Sequence, residues 1–206
     1  MISRLVERDS GSVEFEGLDI LRWKSRDLSK KLAILTQSNN INAKLTVREL
    51  VTFGRFPYSG NHLTAEDSRI IDEALAYMEL TDMQDKFVDE LSGGQRQRAY
   101  IAMVIAQDTE YVFLDEPTNN LDIYHATNMM KIIRKLCDEL GKTIILVLHD
   151  INYAAFYSDY ICAFKDGKIE KFGTVEEVMQ KDILSEIYNV DFEIREIDGK
   201  PLSIYY

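Results

Sequence analysis

The chain has 206 residues, 46% of them hydrophobic and 29% charged, with a formal net charge of −11. That length and apolar content support one domain or two closely joined lobes with a real core, and the acidic balance argues against nucleic acid as the main partner. No apolar run approaches the roughly 18 residues that span a bilayer, the charged start MISRLVERDSG is no signal peptide, and Cys137 and Cys162 read as unpaired buried thiols of a reducing compartment.

In chain order, SVEFEG alternates apolar and polar residues and predicts a strand. KLAILTQ predicts a buried strand ending at Gln37. Thr46 and Glu49 have capping-box spacing for a helix through VRELVTFG, which Gly54 and Pro57 end. Thr64 caps a longer helix, AEDSRIIDEALAYMEL, and Ser92 with Gln95 opens GGQRQRAYIAMVIAQ. YVFLDEP is a buried strand with two carboxylates at its end. An amphipathic helix runs from Leu121 to Leu140 with Gly141 at C′, and TIILVLHD follows as a second apolar, buried strand. YICAFKDGKIEKFG is a hairpin turning at Asp166–Gly167, Thr174 caps VEEVMQ, and DFEIREIDGKPLSIYY is a last hairpin. Strands alternating with helices predict a parallel α/β sheet. Repeats, low-complexity segments and obvious linkers are lacking.

Gly141-Lys142-Thr143 has the ending of a phosphate-binding loop. Such a loop needs a strand before it and a helix after it, so that N–H groups at the helix start face the anion. Lys142 has the reverse context, and Leu136 stands where the first glycine of GxxxxGK[ST] belongs. A helix C-cap followed by a strand accounts for these residues, and no other stretch fits the loop.

Other parts of a nucleotide site are present. Asp115, at the end of its strand, can hold Mg²⁺, and Glu116 can polarise an attacking water. Ser92 and the N–H groups of Gly93 and Gly94 open a helix whose dipole favours a phosphate. His149 and Gln37 each end a strand at the carboxyl edge of the sheet, where ligands bind. Gln37 could reach metal or water there.

In order, the chain shows LTQ (Q-loop), LSGGQRQR (signature), YVFLDEP (Walker B), NNLD (D-loop) and LVLHD (switch histidine). It resembles the nucleotide-binding subunit of an ABC transporter over nearly its whole length. LTVRELVTFGRFPYSG and AYIAMVIAQDTEYVFLDEPTNNLDI are similar to the ATPases of ferric-siderophore importers, close to the petrobactin and enterobactin type. The resemblance implies an α/β fold with a RecA-like parallel-sheet lobe, 1–42 and 101–165, an α-helical signature lobe, 43–100, and a C-terminal hairpin and helices, 166–206. It implies ATP and Mg²⁺, a homodimer sandwiching two ATP molecules, membrane permease subunits, indirectly a substrate-binding protein, no nucleic acid, and a place on the cytoplasmic face of the membrane.

By position, the resemblance makes Gln37 a sensor of Mg²⁺ and the membrane subunit, and Ser92, Gly93, Gly94 and Gln95 the cover of the opposite subunit's γ-phosphate. Asp115 then binds Mg²⁺, Glu116 is the base, Asp122 links the two sites and His149 contacts the γ-phosphate. Family members carry a strand, an adenine-stacking aromatic and the Walker A loop before the segment that MISRLVERDSG resembles. The expectation is therefore a chain truncated before the end of the Walker A helix, lacking its first strands and phosphate loop. On its own it would bind ATP weakly and not hydrolyse it, and the sheet would show a gap between Thr143–Leu148 and Tyr160–Phe164, or these strands would close together or pair with another chain. Three readings follow: an ATPase subunit of iron–siderophore import, a soluble ABC ATPase outside transport, and an inactive remnant that still docks on a permease.

Overall fold

A computed structural model describes residues 4–37, 43–60 and 62–205. The chain divides into two compact units, Met1–Val147 and Leu148–Tyr206.

The first unit opens with a short hairpin, β1 (Glu14–Phe15) and β2 (Leu18–Asp19), then α1 (Ser25–Leu28) and β3 (Leu32–Leu35). A run of helices follows: α2 (Val47–Thr52), α3 (Phe56–Ser59), α4 (Ala65–Tyr77) and α5 (Gly93–Ala106). Then come β4 (Tyr111–Asp115), α6 (Ile123–Leu140) and β5 (Thr143–Val147). The three longer strands form one parallel sheet in the order β3-β4-β5, with Leu32, Tyr111 and Thr143 in register. Ala33, Leu35, Val112 and Leu114 are buried on one face. On the other, Leu32, Ile34, Tyr111 and Phe113 join a cluster with Ile20, Leu28, Phe15 and Trp23.

The capping boxes predicted at Thr46 and Ser92 form, and the cap predicted at Thr174 closes as a box with Glu177. Thr64 forms one too, with Asp67 as its acidic partner. Gly54 is where α2 and its 3-10 continuation come closest to α5. A Cβ there would lie 2.2 Å from the Met103 carbonyl oxygen, so only glycine fits. Arg55 and Asp67 form an ion pair of 2.8 Å within this helical layer, both buried.

The second unit contains α7 (Ile151–Tyr157), hairpin β6 (Tyr160–Lys165) and β7 (Lys168–Thr174), α8 (Val175–Val178), α9 (Lys181–Tyr188) and hairpin β8 (Phe192–Ile197) and β9 (Lys200–Tyr205). Ala155, Val175, Met179, Leu184 and Phe192 form its core. Both hairpins turn on an Asp-Gly pair with positive φ at each residue, the mirror-image turn that matches strand twist.

Four expectations need correction. Pro57 does not end a helix; it sits in the first turn of α3, where its missing N–H costs nothing. The long helix starts at Ile123, not Leu121, because Asp122 is its N-cap. The strand TIILV is not buried: among the described residues β5 pairs with β4 alone, and Ile145 and Val147 are 51% and 50% exposed. Neither cysteine is in a disulfide, yet they are not both buried: Cys162 is exposed and Cys137 half-buried. β5 pairs with β4 in one sheet, and β6 pairs with β7 in another.

Candidate nucleotide site

The site is built on the carboxyl end of β4, the central strand of the sheet. Four residues of alternating burial carry the chain to Asp115, which is exposed, and the backbone then turns sharply at Glu116, whose φ is 49°. A left-handed conformation is uncommon for a residue with a Cβ and is retained where surroundings over-determine it. Here the Glu116 N–H donates to the Val147 carbonyl at 3.1 Å, tying the turn to β5.

Two amides converge on the Glu116 carboxylate. Gln37 Nε2 donates to Oε2 at 2.6 Å, and Asn119 Nδ2 donates to the same oxygen at 3.1 Å. Gln37 lies 79 positions upstream, just past the end of β3, so adjacent strands deliver it beside Glu116. A carboxylate oriented in this way can accept a proton from water, with Asp115 beside it. Sequence reasoning missed Asn119; its signal was a polar side chain three residues after the glutamate, inside a motif read for Asp122.

The donor set at this strand end fits Mg²⁺. The ion takes hard oxygens, keeps several waters and uses one or two carboxylates plus substrate phosphates. Asp115 supplies a carboxylate, and the Gln37 amide keeps its oxygen while its nitrogen serves Glu116. Among the described residues no group of three or more His, Cys, Asp or Glu could hold a metal by itself.

The signature segment lies at the start of α5. Ser92 Oγ accepts from the Gln95 N–H at 3.3 Å, and the Ser92 N–H donates to Gln95 Oε1 at 3.0 Å. This reciprocal cap leaves the N–H groups of Gly93 and Gly94 at the first turn, which has no intrahelical carbonyls for them. Asp122 caps α6: its Oδ1 accepts from the His125 N–H at 2.8 Å. That bond, followed by one from the His125 ring, holds the Asp122 carboxyl below the usual carboxylate range. His149 lies two residues past β5, exposed, within the second unit. Gly141 is the left-handed C-cap of α6, and Lys142 pairs with Asp108 at 2.9 Å. The Gly-Lys-Thr triplet is thus a helix-to-strand junction.

A carboxylate pair over the end of a parallel sheet, braced by amides from the next strand and the following turn, marks an open α/β protein at the sheet edge where ligands bind. Comparison narrows this class. The family model described as ABC transporter matches residues 1–119. The petrobactin import ATP-binding protein YclP of Bacillus subtilis is 52% identical over 206 residues, covering 100% of this chain and 82% of that protein. The ferric enterobactin transport ATP-binding protein FepC of Escherichia coli is 35% identical over 207 residues, covering 98% of this chain and 76% of that protein. A solved structure of the ATP-binding cassette MJ0796, dimeric in a post-hydrolysis state with ADP and Pi, aligns with a TM-score of 0.69 at 30% identity, covering 81% of this chain and 74% of that one. The chain belongs to the ABC transporter ATP-binding family.

Proposed function

We propose that this chain is the ATP-hydrolysing subunit of an importer that brings iron, as a ferric siderophore, through a membrane permease. The observation that carries the chemistry is the Glu116 carboxylate held by Gln37 and Asn119 beside Asp115. In this reading Glu116 takes the proton of the water that attacks the γ-phosphorus. Asp115 and Gln37 hold Mg²⁺, which when bound neutralises charge on the phosphate oxygens. Ser92, Gly93, Gly94 and Gln95 face the γ-phosphate of a second copy's ATP, Asp122 communicates between the two sites, and His149 contacts the γ-phosphate. The cargo assignment is supported by the relatives, whose names specify petrobactin and enterobactin.

A homodimer is supported by Ile123 and Tyr124, which follow Asp122 and are 83% and 72% exposed. Permease docking, which would hold the chain at the cytoplasmic face, is supported by Phe53 and Phe56, 50% and 59% exposed in the helical lobe. Among the described residues no helix is long and apolar enough to cross a membrane. The test is Glu116→Gln in an N-terminally extended form that carries a phosphate loop, assembled with its permease. Phosphate release should fall about 10²-fold or more while ATP-dependent association of the subunits persists. Turnover within a few-fold of wild type would refute the role. Absence of siderophore-dependent iron uptake, tried with petrobactin, enterobactin and a hydroxamate, in cells relying on this subunit would refute the cargo.

A further inference from the structure

Asp122 and the signature segment belong to different elements, and one side chain touches both. His125 Nδ1 lies 2.8 and 2.9 Å from the two carboxylate oxygens of Asp122. The other side of the ring rests on Gly94. A Cβ built there would meet His125 Cδ2 at 2.8 Å and Cγ at 3.2 Å.

The cap of α6 does not need this imidazole. The backbone N–H of His125 makes the cap bond to Asp122 Oδ1, and any non-proline residue would supply it. The ring bond is additional, and it sets the tautomer. The Asp122 carboxyl is held low and ionised, so it can only accept. Nδ1 therefore carries the proton and donates it. Two short contacts to one carboxylate fix the ring plane, and the fixed plane presses its Cδ2 edge against the second glycine of Ser-Gly-Gly-Gln. Gly94 has helical backbone in the first turn of α5, so its lack of a side chain answers to this contact and not to a special φ. Tyr124 meets the same ring edge-on at 5.3 Å between centroids.

We infer that His125 is a positioning residue that joins Asp122 to the N-terminal turn of the signature helix, so that both are set together during ATP turnover. This rests on the proposed ATPase reading for its consequence, not for its geometry. A displaced first turn of α5 would misalign the Gly93 and Gly94 N–H groups toward a γ-phosphate. Such misplacement lowers the rate of the chemical step more than it lowers binding of the nucleotide.

The test has two arms. In this chain, NMR should find the Nδ1–H tautomer at His125. Asp122→Ala should shift the Gly94 amide resonance in the same direction as His125→Ala does, because the carboxylate reaches the glycine through the ring. A Gly94 amide unmoved by Asp122→Ala overturns the inference whatever the activity. In the N-terminally extended form that carries a phosphate loop, assembled with its permease, His125→Ala should lower kcat about 10-fold. The KM for Mg-ATP should stay within about twofold and the unfolding midpoint should not move. His125→Asn keeps an N–H for Asp122 but lacks the ring edge, and should leave kcat as low as alanine does. An unchanged kcat in an active transporter, or full recovery by asparagine, overturns the inference. An inactive wild-type transporter contradicts the proposed function instead, and the amide arm then decides this inference by itself.

Discussion

Arg55→Ala should destabilise the helical layer strongly without touching the candidate nucleotide site. Arg55 Nε donates to Asp67 at 2.8 Å, Nη1 donates to the Ala106 carbonyl at 2.9 Å, and the guanidinium lies 4.0 Å from the Tyr58 ring centre. The two charged side chains are 6% and 3% exposed. Removing one partner of a buried pair costs about 3–5 kcal/mol, because the other charge is left uncompensated. Asp67 keeps hydrogen bonds from the Ser59 and Thr64 hydroxyls and the Thr64 N–H. The loss therefore belongs at the lower end, about 3 kcal/mol, or a fall of roughly 6–12 °C in Tm for a chain of this size. Urea unfolding at pH 7 measures it. A loss below about 1 kcal/mol would refute the reasoning, since that is the worth of an exposed pair. Burial pushes the Asp67 carboxyl up, but the hydrogen bonds from Ser59, Thr64 and Arg55 outweigh it and hold it below its ordinary 3.8. A depressed carboxylate stabilises the fold above its unfolded pKa, and that stability is lost as pH falls through the folded one. The gap between wild type and Asp67→Asn should be widest near neutral pH and shrink only below about pH 4.

Lys142→Ala should leave ATP affinity in calorimetric titration unchanged and cost at most about 1 kcal/mol in urea unfolding, since Lys142 is engaged with the largely exposed Asp108. Loss of nucleotide binding in that variant would reinstate Gly141-Lys142-Thr143 as a phosphate site. Gly54→Ala should cost roughly 1–3 kcal/mol, because the new methyl meets backbone atoms of Met103 and Gln107 that cannot swing away; a neutral result in thermal unfolding would contradict the close approach. Phe53→Ser with Phe56→Ser should stay within about 0.5 kcal/mol of wild type, as surface changes do, while crosslinking to the permease is lost. Undiminished crosslinking would place the docking surface elsewhere.

Local chemistry was legible where a single residue pair decides it. Thr46 with Glu49 and Ser92 with Gln95 are read three residues apart, and each forms the cap its spacing requires; Thr174, read as a cap alone, closes its box with Glu177. The two Asp-Gly hairpins belong to the same class. Short helices escaped, because α1 and α7 have too few turns for a period of 3.6 to show itself. Burial of β5 was misjudged for a different reason. An apolar run says that a strand could be covered on both faces, but not whether neighbours cover it.

The site divides along the same line. Asp115 and Glu116 are adjacent in sequence and visible together, whereas the bond from Gln37 to Glu116 spans 79 positions and depends on β3 pairing with β4. His125 was hidden more thoroughly. Its partner Asp122 is near in sequence, but its contact with Gly94 is made across elements, and glycine in a helix start reads as flexibility or phosphate binding before it reads as room for a neighbour's ring. Gly141-Lys142-Thr143 gives the opposite lesson. Its residue types match a phosphate loop, but the chain enters from a helix and leaves into a strand, so α6 directs its carbonyl end at this junction. A helix C-terminus carries partial negative charge and repels an anion. Chain direction, not composition, decides between the two readings, and the same rule makes the N-terminal turn of α5 the end that suits a phosphate.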